Sequence, residues 1–251
     1  FYRHPELLGT ILAVILPIPV AAVMLADERE KPPVTIFSLA LVLVLGVAIF
    51  WTYKPGIWQA AIAGMGITMI LQPRRHFLML AIAVAFVTAI MFAAYGSPEN
   101  LISQVKTEEI ARGQRQRTQI NEQIAIWNQN TLIGAGMKAH EVRTTAALDG
   151  NVYFQLLAQT GTLGLTFYLL FSLNFLLGIY RIWREIPRTH YWHKVLCTSG
   201  IGSMAAFHVA GLYWATLSDS HTLLLFVFLL SALSYLAQQY DRGLVPDDHS
   251  L

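Results

Sequence analysis

The chain contains seven blocks of apolar residues, each about as long as a bilayer crossing requires. They cover approximately residues 7–25, 34–52, 56–72, 77–95, 152–179, 195–215 and 221–239. A transmembrane helix needs roughly 20 apolar residues. Helices are the expected form because lipid offers no partners for open backbone groups. We therefore expect an all-α, polytopic membrane protein with about seven transmembrane helices.

The composition agrees with a membrane protein, since 55% of the residues are hydrophobic and only 13% are charged. Soluble domains carry about twice this charged fraction. The formal net charge of +2 and the lack of a basic patch with interleaved aromatic residues argue against a nucleic-acid partner. Cys197 is the only cysteine, which excludes a disulfide framework and a thiolate metal site. We interpret it as a small buried hydrophobic residue.

Basic residues in the short loops predict the orientation. One set of loops holds nine Lys and Arg residues, in 27–33, 73–76, 180–194 and at Arg242. The short loops of the other set hold only Arg3 and Lys54. By the positive-inside rule the first set is cytoplasmic. The other side, which in a bacterium is the periplasm, then contains the N-terminus, 53–55, the long loop 96–150 and the tip near 216–220.

These boundaries divide the chain into four parts. We expect four transmembrane helices in 1–95, a periplasmic loop in 96–150, three transmembrane helices in 151–240 and a cytoplasmic tail in 241–251. Because the first residue is Phe1 rather than Met, we also expect the chain to be a piece of a longer protein.

The loop 96–150 is long enough to have a function of its own. Within it, residues 106–130 show helical periodicity and predict an amphipathic helix, whose apolar face holds Ile110, Ile120, Ile124 and Trp127. Arg117 falls within this apolar stripe. It either points to the buried side and meets an anion or a carboxylate, or is a surface arginine that reaches past its neighbours to water. Gly134 and Gly136 then predict a tight turn or a close backbone approach.

A stripe of polar side chains runs along the helix predicted after this loop, formed by Asn151, Gln155, Gln159, Thr162 and Thr166. Two interpretations remain open. The stripe lines a wet cavity, or it supplies hydrogen bonds to neighbouring helices. We expect Asn151 and Gln155, which lie near the periplasmic end of this helix, to belong to a site. The deeper Thr162 and Thr166 should serve packing.

Two stretches resemble the signature region of the O-antigen ligase and O-antigen polymerase superfamily. They are RTQINEQIAIWNQNTLIGAGMKAH (117–140) and DGNVYFQLLAQTGTLGLTFYLL (149–170). The family pattern has an Arg, then a Trp, a PLIGxG-like turn, and His-Asn followed by GxxG. The matching positions here are Arg117, Trp127, 132–136, Asn151, Gly161 and Gly164. HPELLGT (4–10) and WTYKPGIWQAA (51–61) resemble two further family segments, with Lys54 where an Arg is usual.

The resemblance implies an enzyme of the bacterial inner membrane that transfers glycan from an undecaprenyl-diphosphate carrier to an acceptor at the periplasmic face. Ligases of the family use a lipid A core as the acceptor in lipopolysaccharide assembly, whereas polymerases use another carrier-linked unit. It implies no cofactor and no catalytic metal. The implied partners are the lipid-linked oligosaccharide, membrane lipid and other membrane proteins.

The family's proposed general base is missing, because its His is Gly150 here. Asp149 and His140 are the remaining candidates. The alternatives are that Asp149 caps the helix that follows and that His140 is an exposed loop residue. For the diphosphate, Arg117 is the first candidate. Lys54 is the second, unless it only anchors a helix end at the membrane surface.

Polar residues of the last helices complete the candidates. Asp219 and His221 either close over a substrate or cap helix ends. His208 is ionisable inside a predicted span and is therefore a functional candidate, with a neutral, hydrogen-bonded histidine as the alternative. Close helix packing is the expected role of Ser199, Gly200, Gly202 and Ser203.

Two further functional classes are considered. One is a non-catalytic relative that acts as an accessory or scaffold subunit of a larger membrane complex; the missing His and Lys54 favour it. The other is a transporter, for which we see no paired broken helices in two related halves.

Overall fold

The computed structural model describes residues 5–26, 32–72, 98–136, 150–187, 190–214, 216–217 and 220–241. Within these ranges the regular structure is all-helical, as expected. The helices are α1 (Pro5–Ile15), α2 (Pro17–Leu25), α3 (Pro32–Phe50), α4 (Pro55–Ile70), α5 (Pro98–Gln129), α6 (Val152–Glu185), α7 (Tyr191–Gly211) and α8 (Ser220–Asp241). The predicted span 77–95 and the tail after residue 241 lie outside the described residues.

Proline begins each of the first five helices. A proline costs little at this position, because the first backbone N–H groups of a helix have no internal partner. Only Leu16 separates α1 from α2, and its backbone is itself helical. The two helices therefore form one apolar rod.

Among the described residues, three helical segments are long and apolar enough to cross a membrane: Glu6–Leu25 with 20 residues, Pro33–Phe50 with 18 and Val152–Glu185 with 34. By their length and composition, these segments indicate a membrane protein. Pro55–Ile70 and His221–Tyr235 are apolar but shorter. At about 1.5 Å per residue, the 16 residues of α4 extend roughly 24 Å, less than a typical hydrocarbon core.

Helix α7 lies at the centre of the bundle and packs closely on α4. A Cβ atom added at Gly202 would lie 2.1 Å from Thr68 Oγ1 and 2.8 Å from the Gly64 carbonyl oxygen. Ser203 donates a hydrogen bond of 2.6 Å to the Val14 carbonyl, and Gly200 faces Leu233 of α8. The small residues of α7 therefore serve close packing, as predicted. Cys197 is also buried, with 1% exposure.

A polar network joins three helices at the end of α6. The fully buried Thr198 of α7 accepts hydrogen bonds from Gln72 (2.6 Å) and from the Trp183 indole (3.0 Å). Lys194 donates to the carbonyls of Trp183 and Ile186. A cation at the C-terminal end of a helix is favourable because free carbonyls make that end negative. This network fixes the C-terminal end of α6.

Candidate functional site

Helix α6 is broken at Gly161. This residue has φ 68° and ψ −171°, although the residues on both sides of it are helical. Only glycine adopts this conformation readily. A Cβ atom at Gly161 would also lie 2.2 Å from the carbonyl oxygen of Leu132. Glycine is therefore required here for both conformation and space.

The turn 131–136 fills the break in α6. Gly134, with φ 69°, brings the turn so close that a Cβ atom there would lie 2.5 Å from the backbone nitrogen of Gly161. The turn supplies partners for backbone groups that the break leaves without helical bonds. Four backbone hydrogen bonds join the two segments: Ala135 N to Ala158 O, Gly136 N to Gln159 O and Thr162 N to Thr131 O, each 2.9 Å, and Leu163 N to Leu132 O, 3.2 Å. We call this arrangement the docked turn.

Two side chains strengthen the docked turn. The Trp127 indole N–H at the end of α5 donates to the Thr131 carbonyl at 3.0 Å and lies 3.3 Å from Thr162 Oγ1. Thr162 Oγ1 donates to the same carbonyl at 2.8 Å. Thr166 instead donates to the Thr162 carbonyl within its own helix, also at 2.8 Å. Thr166 is thus engaged within its own helix, whereas Thr162, for which a packing role was predicted, belongs to the docked turn.

Asn151 caps the N-terminus of α6. Its side-chain oxygen accepts hydrogen bonds from the backbone nitrogens of Tyr153 (2.9 Å) and Phe154 (3.4 Å). Its amide nitrogen donates to the Leu212 carbonyl at 3.1 Å. The prediction that Asp149 is the cap is wrong, because α6 begins at Val152 and residue 151 is the capping position.

An amide cluster surrounds this cap. Gln123 of α5 is 2% exposed and Gln155 of α6 is 6% exposed. Gln116 donates to the Leu212 carbonyl at 3.0 Å, sharing this acceptor with Asn151. Gly150, where the resembling family has its His, faces the same amides. A Cβ atom there would lie 3.4 Å from Gln123 Nε2 and 3.7 Å from Gln119 Oε1.

The contact face of helix α5 is rotated relative to the predicted apolar face, although Ile120, Ile124 and Trp127 of that face are partly buried. Successive residues turn by about 100°, so Trp127 lies about 20° from Gln116 around the helix, whereas Arg117 lies about 100° and Ile110 about 120° away. Ile110 is 57% exposed, and Arg117 is exposed as well. Arg117 therefore agrees with the second of its two interpretations, an exposed surface arginine, and not with the first, because the glutamines occupy the contact. Its role at a diphosphate stays a prediction.

Lys54 lies at the same end of the bundle. Its ammonium group forms an ion pair of 3.1 Å with Glu6 at the start of α1. Two residues later, Gly56 packs against the Tyr213 ring. Tyr213 directly follows Leu212, the acceptor of the amide cluster. The structure thus gathers the starts of α1, α4 and α6, the end of α7 and one face of α5 at one polar end.

The remaining predicted site residues are placed as follows. Asp149, His140 and Asp219 lie outside the described residues. His221 is exposed near the start of α8. Gln159 is half-buried, and its backbone carbonyl accepts from Gly136. Among the described residues, no three His, Cys, Asp or Glu side chains gather into a group that could hold a metal ion.

Sequence reasoning predicted the close backbone approach at Gly134, which the structure confirms, but it missed the break in α6 that receives the turn and the rotated contact face of α5. The signal for the contact face is the spacing of Gln116, Gln119 and Gln123, which places the three amides on one side of a helix. The signal for the break was weaker, since a single glycine inside a helical pattern is tolerated. No protein-family model matches the chain, and no curated protein matches it.

Proposed function

We propose that this chain transfers oligosaccharide from an undecaprenyl-diphosphate carrier to an acceptor at the periplasmic face of the bacterial inner membrane, as a polymerase or ligase of the O-antigen type. The proposal includes about seven membrane spans, with α5 and the docked turn outside the membrane. The observation that carries it is the docked turn itself. The two glycine segments on which the resemblance rests, 132–136 and 161–164, are far apart in sequence and meet through backbone hydrogen bonds.

The chemistry of transfer assigns roles to the polar end. The acceptor hydroxyl attacks the anomeric carbon of the donor sugar, the bond to the diphosphate breaks, and a base takes the hydroxyl proton. The leaving diphosphate needs cations, and a guanidinium matches phosphate oxygens with paired hydrogen bonds. The exposed Arg117 is available for this role, and it directly follows Gln116, which contacts the amide cluster.

Lys54 supplies a second positive charge in this proposal. Its partner Glu6 holds it near the polar end, and both side chains are partly exposed, 19% and 23%. An arriving diphosphate competes with the Glu6 carboxylate for the ammonium group. Asp149 and His140 remain the proposed bases. Asp149 directly precedes Gly150, which faces the amide cluster.

The alternative is a non-catalytic accessory or scaffold subunit of a larger membrane complex. Two observations favour it. Lys54 is already paired with Glu6, and Asn151 is engaged as a cap and as a donor to Leu212. In this proposal the polar end serves to hold the helices together.

A transfer assay distinguishes the two proposals. The full-length protein is placed in lipid nanodiscs with undecaprenyl-diphosphate oligosaccharide and an acceptor. We expect transferred or lengthened glycan, with a loss of about 10²–10³-fold in Arg117→Ala, the range seen when one charge-stabilising group is removed. Arg181→Ala is the matched control, because Arg181 is also exposed but lies near the opposite end of α6. Full activity of Arg117→Ala refutes its role. An unchanged donor with folded wild-type protein supports the accessory subunit.

A further inference from the structure

A group of buried polar atoms lies between α6 and α7, apart from the polar end. It contains Tyr153, Tyr168 and Ser172 of α6 and His208 of α7. The ring centroids of Tyr168 and His208 are 5.7 Å apart, and those of Tyr153 and His208 are 6.3 Å apart. Ser172 follows Tyr168 by one helical turn and shares its face. His208 therefore lies between residues that precede and follow the break at Gly161.

The contacts of Tyr153 favour one tautomer of His208. The Tyr153 hydroxyl lies 2.9 Å from His208 Nδ1 and 3.0 Å from the His208 carbonyl oxygen. A phenol has one proton, and a carbonyl can only accept. Both contacts are satisfied when the hydroxyl donates to the carbonyl and Nδ1–H donates to the hydroxyl oxygen. Nε2 is then a bare acceptor.

Three polar atoms of this group have no hydrogen-bond partner of standard geometry among the described residues. They are His208 Nε2, the Tyr168 hydroxyl and the Ser172 hydroxyl, and all three are buried. The Tyr168 and Ser172 hydroxyls lie close enough together to interact, although no hydrogen bond of standard geometry joins them. Leaving a buried polar group unpaired is costly, and buried waters typically make about three hydrogen bonds to such groups.

We propose that His208, Tyr168 and Ser172 bind a water molecule between α6 and α7. The water donates one proton to His208 Nε2 and uses its other proton and lone pairs for the two hydroxyls. A continuous chain then runs from Tyr153 through His208 and the water to Tyr168 and Ser172. It ties the two halves of the broken helix to α7 and so holds the angle at Gly161. This site does not depend on the proposed transfer reaction.

The tautomer and the water are tested by solid-state NMR on the full chain in nanodiscs with ¹⁵N-labelled histidine. The His208 signals are the ones that disappear from the spectrum of His208→Gln. If that variant does not fold, Tyr153→Phe identifies them instead, because it changes the chemical shifts of His208. We expect a protonated Nδ1, an unprotonated Nε2 and a cross-peak from Nε2 to water protons that Tyr168→Phe and Ser172→Ala weaken. A protonated Nε2, or an Nε2 without a water cross-peak, overturns the proposal.

The sign of a stability change gives a second test. If the Tyr168 hydroxyl is bonded to water, Tyr168→Phe lowers the melting temperature; if the hydroxyl is unpaired, its removal raises the melting temperature or leaves it unchanged. Tyr180→Phe is the matched control, because it makes the same substitution in the same helix at a residue that is 41% exposed. A melting temperature for Tyr168→Phe at or above that of the control contradicts the bound water.

Discussion

Gly161→Ala is expected to separate the docked turn from α6. The glycine has φ 68°, and the new Cβ atom would lie 2.2 Å from the Leu132 carbonyl oxygen and 2.6 Å from Gly134 N. Both neighbours are backbone atoms of the turn, so no side chain can move aside. Holding alanine in this conformation costs about 1–3 kcal/mol. Relief of the clash breaks up to four backbone hydrogen bonds, each worth about 0.5–1.5 kcal/mol net.

The free energy of unfolding should therefore fall by about 2–6 kcal/mol, less whatever α6 regains by closing into a continuous helix. The assay combines thermal unfolding in nanodiscs with limited trypsin digestion, because Lys138 is the trypsin site next to the turn in sequence. We expect faster cleavage at Lys138 and a lower melting temperature. Gly178→Ala is the control: it lies in the same helix, and a Cβ atom there would meet nothing within 4 Å. If the two variants unfold and are cleaved alike, the docked turn does not depend on Gly161.

Three other substitutions test the bundle and its polar end. Asn151→Ala should lower the free energy of unfolding by about 1–2 kcal/mol, because the cap of α6 is lost. Asn151→Asp should recover part of this loss, because it keeps the accepting oxygen but not the donor to Leu212. Thermal unfolding of both variants measures the difference. Gly202→Ala should lower the free energy of unfolding by about 1–3 kcal/mol, because the new Cβ atom would lie 2.1 Å from Thr68 Oγ1. Gly66→Ala is the control, because a Cβ atom there would meet open space and should not destabilise the protein. Equal melting temperatures of the two variants would contradict the close contact between α4 and α7. Lys54→Met should change the free energy of unfolding by less than about 1 kcal/mol, because the ion pair with Glu6 is partly exposed and screened by water. A double-mutant cycle with Glu6→Gln measures the coupling energy of the pair. A coupling energy above about 1 kcal/mol would contradict this expectation.

The helix positions were predictable from sequence because long apolar runs determine them. The predicted spans 34–52 and 56–72 match α3 and α4 to within two residues at each end, and the span 7–25 matches the rod formed by α1 and α2 equally well. The predicted end at residue 179 falls six residues short of the end of α6, and the predicted span 195–215 is shifted by four residues from α7. Prolines and turn residues bound these runs, and both act locally. The all-helical class follows from the same local signals.

The candidate site was harder to predict because its contacts are non-local. The break at Gly161 exists only together with a turn some 25 residues earlier, and neither segment alone requires it. The rotation of α5 depends on which face finds partners: Gln116 and Asn151 both need the Leu212 carbonyl. Likewise, the ion pair between Lys54 and Glu6 becomes visible only once α1 and α4 lie side by side. The residue types indicated a polar end of the bundle, but only the tertiary contacts determine which side chains lie together there.

The docked turn also has a consequence for biosynthesis. Residues 131–136 leave the ribosome before α6 does. The backbone groups that open at Gly161 therefore meet a partner segment that has already been made. The order of synthesis thus delivers the completing segment before the helix that needs it.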